Sequence, residues 1–146
     1  MSNRLYSVLL LLLFVSCTKD TATINAQSSV VASTSLTPTT NRGYLIQHSY
    51  FTLSYSETNR QAEWVAYNLT PSFINGAQER TDNFRIDPKV KKNPVGSGDY
   101  SGSGYDRGHL CPAGDMKLNL TSMSETFYMS NMSPQDPSFN RGIWET

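Results

Sequence analysis

One of the chain's two histidines lies in a short stretch whose side chains could act together on an anionic substrate. In SGSGYDRGHLCPAGD (101–115), Asp106, Arg107 and His109 place a carboxylate, a guanidinium and an imidazole within four residues. Imidazole accepts protons near neutral pH. If the segment is an extended strand, Arg107 and His109 share one face. A base and a fixed positive charge would then face one phosphodiester, with Gly108 letting a ligand approach the backbone.

A second candidate group, Asn140, lies about thirty residues further along the chain. Its amide oxygen is a hard, neutral ligand suited to Mg²⁺, which keeps most of its waters and takes few protein ligands. A base on a strand and this ligand on a following helix would place a water and a metal on opposite sides of one phosphate. The chain has no CxxC motif or Cys/His cluster that would predict a zinc site.

Aromatic and β-branched residues predict the strands that position these groups. YLIQHSYFTLSY (44–55) favours one strand or a broken pair, and AEWVAYNLT (62–70) a second strand antiparallel to it. His48, within the first of these segments, has no evident polar partner, which favours a structural or exposed role. Residues 71–104 carry prolines and glycines with little periodicity and predict a long ordered loop. Their glycines do not fit G-x-G-x-x-G, which excludes a dinucleotide fingerprint.

The elements after His109 are predicted less sharply. Residues 116–124 are consistent with a loop or a short helix, and residues 125–135 predict a strand that breaks at Pro134. Pro137 and Ser138 are typical start signals for a helix that would carry Asn140.

The N-terminus has the plan of a secretory signal. Arg4 precedes a mostly apolar run from Leu5 to Val15, which is too short for a transmembrane helix. The run ends at Ser16-Cys17 in a sequence that resembles a bacterial lipobox, and several acyl chains on Cys17 would give a stable anchor. The alternative is a plain secretory signal with an incidental cysteine. We therefore expect an exported cell-envelope protein, lipid-anchored to a bacterial membrane and facing the periplasm or the surface.

Composition limits what the rest of the chain can be. Twelve basic residues balance twelve acidic ones, so composition alone does not point to a nucleic-acid partner. Residues 18–42 are rich in Ser, Thr and Ala and lack the apolar content of a core, which predicts a linker. Lipidation of Cys17 would leave Cys111 unpaired and exclude an intramolecular disulfide. One domain, beginning near Gly43, accounts for the remaining length.

Five segments together resemble the DNA/RNA non-specific endonucleases, a family of ββα-metal (His-Me finger) nucleases that includes bacterial secreted nucleases and mitochondrial endonuclease G. They cover roughly residues 44–146 in the expected order. The segments are AEWVAY (62–67), DNFRIDP (82–88), DYSGSGYDRGHLCPAGD (99–115), TFYMSNMSPQ (126–135) and FNRGIW (139–144). The resemblance implies an α+β fold with an antiparallel sheet and the active site on a strand-loop-helix element.

The family's catalytic roles fall on residues already singled out. The resemblance places His109 at the general base, which takes a proton from water. Asn140 falls on the single protein ligand of the catalytic Mg²⁺, or alternatively Mn²⁺, which acts as a Lewis acid. Arg107 matches an arginine that binds the phosphate or stabilises transition-state charge.

Further positions match residues that support or complete the family's site. Asp106 is expected to orient its segment, while Asn131 and Gln135 match supporting polar positions. A second catalytic arginine lies just before the DNF segment in the family, where this chain has Asp82. The arginines that bracket it leave two candidates, of which Arg80 is preferred to Arg85.

One family residue has no counterpart in the chain. A glutamate near the metal, two helical turns after the asparagine, would fall at about position 148, and Glu145 comes too early. Because this glutamate is absent, we interpret residues 43–146 as the N-terminal part of a C-terminally truncated endonuclease domain. Residues 1–17 are interpreted as a signal peptide from the N-terminal pattern described above.

The implied function is hydrolysis of phosphodiester bonds in DNA and RNA, with little sequence specificity and a 5′-phosphate product. A homodimer is left open. The alternative is a surface lipoprotein that binds nucleic acid without cutting it, or an inactive fragment of the nuclease. The presence of His109 and Asn140 counts against a pure binding role, because binding needs no general base.

Overall fold

A three-stranded antiparallel sheet forms the larger layer of the structure, a computed structural model that describes residues 38–144. Its strands are β1 (Tyr44–Gln47), β2 (Phe51–Ser56) and β3 (Gln61–Tyr67), with β2 in the centre. The predicted strand over 44–55 is therefore the broken pair, because His48 N donates to Phe51 O at 2.8 Å and closes a turn. The predicted second strand is β3 and pairs antiparallel to β2, as expected.

The main core lies against β2 and includes residues that follow the second histidine. Phe51, Leu53 and Tyr55 alternate along β2 and are almost fully buried, as expected for strand side chains that point to one face. Cys111 and Met116 belong to the same cluster. The three-stranded sheet therefore supports the chain immediately after His109.

A second, two-stranded sheet carries the histidine itself. β4 (Asp106–His109) pairs antiparallel to β5 (Met132–Gln135), with Arg107 opposite Pro134 and His109 opposite Met132. The prediction that a strand begins near residue 125 and breaks at Pro134 is wrong. Pro134 lies inside β5, since each strand of a two-stranded sheet has an open side where proline removes no ladder hydrogen bond.

Short helices and one ordered loop complete the described chain. α1 (Pro71–Ile74) is a single turn and α2 (Leu120–Glu125) is shorter than two turns, and α2 confirms the short helix considered for residues 116–124. The predicted long ordered loop over residues 71–104 is confirmed between α1 and a 3₁₀ helix at Ser97–Tyr100, two short helical elements that were not predicted. Two backbone hydrogen bonds fix this loop against the segment that follows α2: Arg85 N donates to Phe127 O (3.2 Å), and Met129 N donates to Arg85 O (2.9 Å).

The last described segment begins a helix at the predicted place. Phe139–Ile143 is π-helical and bends at Gly142, whose φ and ψ are −108° and −106°. Asp136 caps this segment, because its carboxylate accepts hydrogen bonds from Ser138 N (2.8 Å) and Phe139 N (3.3 Å). The α+β class with antiparallel sheets is thus confirmed.

All described residues belong to one unit, Ser35–Thr146. None of their helices is long and apolar enough to cross a membrane. The predictions made for the signal peptide, for Cys17, for most of the 18–42 linker and for Glu145 lie outside the described residues.

Candidate active site

A cleft of about 370 Å³ opens beside β4. It collects four of the polar residues singled out in the sequence: Arg80, Asp106, Arg107 and Asn140. The remaining lining residues are aromatic or carry hydroxyl groups: Phe84, Ser97, Tyr100, Ser101 and Tyr105. Residues from the long loop, from β4 and from the last helical segment therefore meet at one concave surface.

Two phenylalanine rings hold both cleft arginines next to His109. The imidazole packs edge-on against Phe84 and Phe127, with centroid separations of 5.8 and 4.9 Å. The Arg107 guanidinium lies 4.0 Å from the Phe84 ring centroid, and that of Arg80 lies 4.9 Å from the Phe127 centroid. Such cation–π contacts orient a guanidinium while leaving its N–H donors free for an anion.

Ring contacts and hydrogen bonds also distinguish the two candidates for the second catalytic arginine. Arg85 donates from Nη1 to Ser124 O at 2.8 Å and lies 4.0 Å over the Tyr128 ring. Arg85 does not line the cleft. Arg80 lines the cleft and donates from Nε to Asp82 Oδ1 at 2.6 Å. The structure brings Arg80, and not Arg85, to the side of His109.

His109 is held in the neutral form. Its side chain lies in the interior, with the residue 8% exposed. Burial lowers the pKa of His109 to about 4; the positive charge of Arg80 and, more weakly, that of Arg107 add to this lowering, while Asp82 opposes it. Its Nε2 is buried without a hydrogen-bond partner among the described residues. A neutral imidazole with an unengaged nitrogen is suited to accept a proton.

Asp106 joins β4 to the helical segment that carries Asn140. Its carboxylate accepts hydrogen bonds from Arg141 Nε (2.7 Å), Arg141 Nη2 (2.6 Å) and Asn140 Nδ2 (3.1 Å). Trp144 adds a second link, since its indole Nε1 donates to His109 O at 3.1 Å. No signal in the sequence indicates either link, and Trp144, a large aromatic residue of the kind usually found in a core, is 46% exposed.

The donor set at the cleft fits a hydrated magnesium ion. Asn140 uses its amide nitrogen to contact Asp106, which leaves the amide oxygen outside that hydrogen bond. Within residues 38–144, no group of three or more His, Cys, Asp or Glu side chains could hold a metal. A cation that keeps most of its waters needs only such a single oxygen ligand. The carboxylate of Asp106 would act behind Asn140, as an orienting group.

Residues 31–146 match the family model described as DNA/RNA non-specific endonuclease. The chain belongs to this family. β4, β5 and the helical segment after them form the ββα element expected of it.

Several nucleases of known sequence or structure are similar to this chain. A protein named Nuclease from a Nostoc species is 42% identical over 113 residues, which cover 76% of this chain and 40% of that protein. Human mitochondrial endonuclease G is 38% identical over 96 residues, which cover 64% of this chain and 32% of that protein. A solved chain from an EndoG/EndoGI complex has a TM-score of 0.67 at 34% identity and covers 73% of this chain and 46% of that one. The chain spans less than half the length of these relatives.

Asn131, which matches a supporting position of the family's site, fixes the chain just after the histidine. Its side-chain oxygen accepts from Cys111 N at 2.9 Å, and its nitrogen donates to Cys111 O (3.0 Å) and Thr126 O (2.9 Å). The side chain is fully buried, so these bonds satisfy groups that water cannot reach. Asn131 thereby joins the exit of β4 to the end of α2.

Gln135, the other predicted supporting residue, explains the glycine of the endonuclease motif. A Cβ atom on Gly108 would lie 2.0 Å from Gln135 Cδ and 2.4 Å from its Cγ. The expectation that Gly108 allows a ligand to approach is therefore wrong, because the neighbouring strand's own side chain occupies that space. Gln135 Oε1 is buried and has no hydrogen-bond partner among the described residues.

A buried polar network behind the site was missed from the sequence. His48 was expected to lack a polar partner, yet its Nε2 lies 3.0 Å from Asp87 Oδ2, with both side chains fully buried. Ser130 also donates to Asp87 Oδ2. Burial raises the pKa of Asp87, but the hydrogen bonds from His48 and Ser130 outweigh it, and the net pKa is lowered. Because Ser130 contacts the carboxylate and not the imidazole, this is no nucleophilic triad.

Cys111 has no catalytic features. The residue is fully buried, and burial raises the pKa of its thiol. A thiol in such a setting is not a nucleophile at neutral pH. Cys111 is therefore a small packed residue of the core beside the site.

Proposed function

We propose that the chain forms the catalytic ββα part of a metal-dependent endonuclease, which hydrolyses phosphodiester bonds of DNA and RNA with little sequence preference. The observation that carries the proposal is that Arg80, Arg107 and Asn140 line one cleft, while a neutral, buried His109 packs behind it against Phe84, a lining residue, and Phe127. Two positive charges can stabilise the phosphate, one base can accept a proton from water, and one oxygen ligand can hold a metal, which together suffice for phosphodiester hydrolysis.

The two arginines bind the scissile phosphate. Each guanidinium rests on a ring and presents its remaining donors to phosphate oxygens through charge-assisted hydrogen bonds. The bound negative charge offsets the positive charges that lower the pKa of His109. Substrate binding therefore makes the imidazole a stronger base at the stage when a proton must be taken.

His109 then accepts a proton from a water molecule. The resulting oxygen attacks phosphorus in line, a new P–O bond forms, and the bond to the 3′-oxygen breaks to leave a 5′-phosphate. The 3′-oxygen leaves with the electron pair of the broken bond and is protonated from solvent. Burial of the imidazole keeps it neutral, and so able to accept the proton, throughout the neutral pH range.

Asn140 is the residue that would hold Mg²⁺, with Mn²⁺ as the alternative. When bound, the cation supplies Lewis-acid stabilisation of charge on the phosphate and the leaving oxygen. Asp106 keeps the amide of Asn140 oriented by accepting from its nitrogen at 3.1 Å. Arg141 holds the same carboxylate in place.

The lack of sequence preference follows from what the cleft offers. Contacts to phosphate position a nucleic acid without reading its base edges. The whole chain is formally neutral, with twelve basic and twelve acidic residues. Attraction must therefore be local to the cleft arginines, and binding should weaken strongly as salt concentration rises.

The proposal includes export and anchoring through lipidation of Cys17, which rest on the sequence pattern of the N-terminus alone. Metabolic labelling with palmitate, followed by detergent fractionation, tests this for the wild type and for Cys17→Ser. A labelled wild type and an unlabelled variant are expected. Light scattering of the purified protein tests the homodimer.

The nuclease itself is tested by cleavage of plasmid DNA and of RNA. Full-length protein should cut both substrates in Mg²⁺, and cutting should stop with EDTA or with His109→Ala. Arg42→Ala is a surface control, because Arg42 is an exposed residue that does not line the cleft. A folded protein that binds nucleic acid in Mg²⁺ without ever cutting it would establish the binding-module alternative.

A further inference from the structure

One wall of the cleft is not used by the hydrolytic residues. It is made of Tyr105 and of residues just before it, including Tyr100 and Ser101. The Tyr105 residue is 55% exposed. Its ring and hydroxyl make no aromatic contact or hydrogen bond with any residue between 38 and 144. A large, unpartnered aromatic side chain thus faces the same cleft as Arg107.

The backbone that presents Tyr105 is held in a defined shape. Ser103 Oγ donates to Tyr100 O at 2.8 Å and accepts from Tyr105 N at 3.1 Å. The preceding turn is fixed by Asp99, which accepts from Gly96 N (2.7 Å) and Arg60 Nη2 (2.8 Å). The ring is therefore carried by an ordered support, although it is itself solvated.

Tyr100 differs from Tyr105 in a way that separates their roles. Tyr100 packs against Val95, Met129 and Met132. Burial raises the pKa of its hydroxyl to about 12. Tyr100 is therefore part of the cleft wall, whereas the exposed ring of Tyr105 is available to a ligand.

A phosphate site beside an exposed ring is the arrangement that binds single-stranded nucleic acid. A basic groove follows the backbone while bases stack on aromatic side chains, and stacking tolerates any sequence because every base has a π-face. Tyr105 lies two residues before Arg107 and directly precedes β4. A base attached to the sugar next to the bound phosphate would find this ring within the same cleft.

We propose that Tyr105 is a specificity-determining residue that stacks an unpaired base, so that the cleft prefers single-stranded DNA and RNA, or unpaired regions, to perfect duplex. The inference rests on the proposed nuclease function and refines its substrate class. A duplex base is stacked and paired, and reaching Tyr105 requires it to leave the helix at an energetic cost. The preference therefore arises without any contact to base edges.

The test compares Tyr105→Ala and Tyr105→Phe with the wild-type full-length protein. Binding of a fluorescent single-stranded oligonucleotide and of its duplex is measured in EDTA, where no cleavage occurs, and kcat/KM for both is measured in Mg²⁺. Leu45→Ala is the matched control, since Leu45 is an exposed apolar residue on β1 that does not line the cleft. Thermal unfolding checks that each variant is folded.

Tyr105→Ala is expected to weaken single-strand binding about tenfold. Duplex binding should change by less than about twofold, and Tyr105→Phe should retain wild-type affinity because it keeps the ring. An equal loss on both substrates, or a Tyr105→Phe variant as weak as Tyr105→Ala, would overturn the stacking role. Because binding is scored without cleavage, this outcome is distinct from failure of the nuclease proposal, which would appear as a wild type that binds but never cuts.

Discussion

The carboxylate of Asp106 on β4 accepts a hydrogen bond from the side-chain nitrogen of Asn140 at 3.1 Å. This contact joins the strand that carries the proposed base to the segment that carries the proposed metal ligand. The carboxylate also accepts two bonds from Arg141. Hydrogen bonds from Arg141 and Asn140 lower the pKa of Asp106, so the residue is charged at neutral pH.

We therefore expect Asp106→Asn to weaken metal use. The uncharged amide keeps the size of the side chain and one acceptor oxygen, but it loses the charge and the second acceptor with which Asp106 holds both Arg141 and Asn140. Loss of a group that orients a metal ligand typically reduces metal affinity or activity about 10- to 100-fold. Titration of cleavage rate against Mg²⁺ should show a higher half-saturating concentration. Unchanged half-saturation, with only a lower maximal rate, would contradict the orienting role.

The buried state of His109 predicts an unusual pH dependence of activity. Because the pKa of His109 is lowered to about 4 from the ordinary value of 6.5, kcat/KM should be level from about pH 5.5 upward instead of rising through 6.5. The bound phosphate offsets the charges of Arg80 and Arg107, so the pKa seen in kcat should exceed that seen in kcat/KM. Steady-state kinetics across pH measure both. A shared midpoint near 6.5 would rule out a desolvated base.

The lowered pKa of His109 also makes the stability of the fold depend on pH. Between pH 6.5 and about 4, His109 is protonated in the unfolded chain but neutral in the folded one. The stability that comes from keeping His109 neutral is therefore fully present above pH 6.5 and is lost as the pH falls towards 4. The loss is on the order of 3 kcal/mol. His109→Gln should remove this slope, which denaturant unfolding at pH 7 and pH 4.5 would measure. If the variant retains the wild-type slope, another group titrates in that range.

The two arginines that flank Asp82 should respond differently to substitution. Arg80→Ala removes a cleft charge whose side chain is 51% exposed, so we expect kcat/KM to fall about a hundredfold with little change in stability. Arg85→Ala removes the bond to Ser124 O and the contact with Tyr128. It should lower the free energy of unfolding by about 1–2 kcal/mol and leave kcat/KM near wild type at low temperature. The opposite pattern would assign the phosphate to Arg85.

Local sequence patterns predicted the elements of the fold well. Alternating aromatic and β-branched residues mark β1, β2 and β3, and Pro137-Ser138 marks the start of the last helical segment. Pro134 misled the prediction, because a proline is a break signal only where its missing donor is needed. Whether a strand has an open side depends on its partner, which local sequence does not reveal.

The site was predicted where residues close in sequence act together, as in Asp106 to His109. Asn140 was also predicted, although it lies about thirty residues away, but contacts between other distant segments were missed. His48 and Asp87, which contact each other, are 39 residues apart in the chain. The roles of Arg80 and Arg85 could be distinguished only from the rings they contact, Phe127 and Tyr128 respectively. Such contacts depend on how the loop folds over α2, which has no periodic signal in the sequence.

The pairing of Gly108 with Gln135 offers a test that needs no assumption about the substrate. Gly108→Ala introduces a methyl group 2.0 Å from Gln135 Cδ, and such overpacking should destabilise the protein by about 1–3 kcal/mol. In the double variant Gly108→Ala/Gln135→Ala the clash is gone. Denaturant unfolding of the wild type, both single variants and the double variant gives the coupling energy.

We expect the double variant to be more stable than Gly108→Ala alone, with a coupling of about 1 kcal/mol or more. The clash that the second substitution relieves is between side chains of adjacent strands, so the rescue should appear in stability without nucleic acid present. Strictly additive effects would contradict the clash with Gln135 as the reason for a glycine at this position.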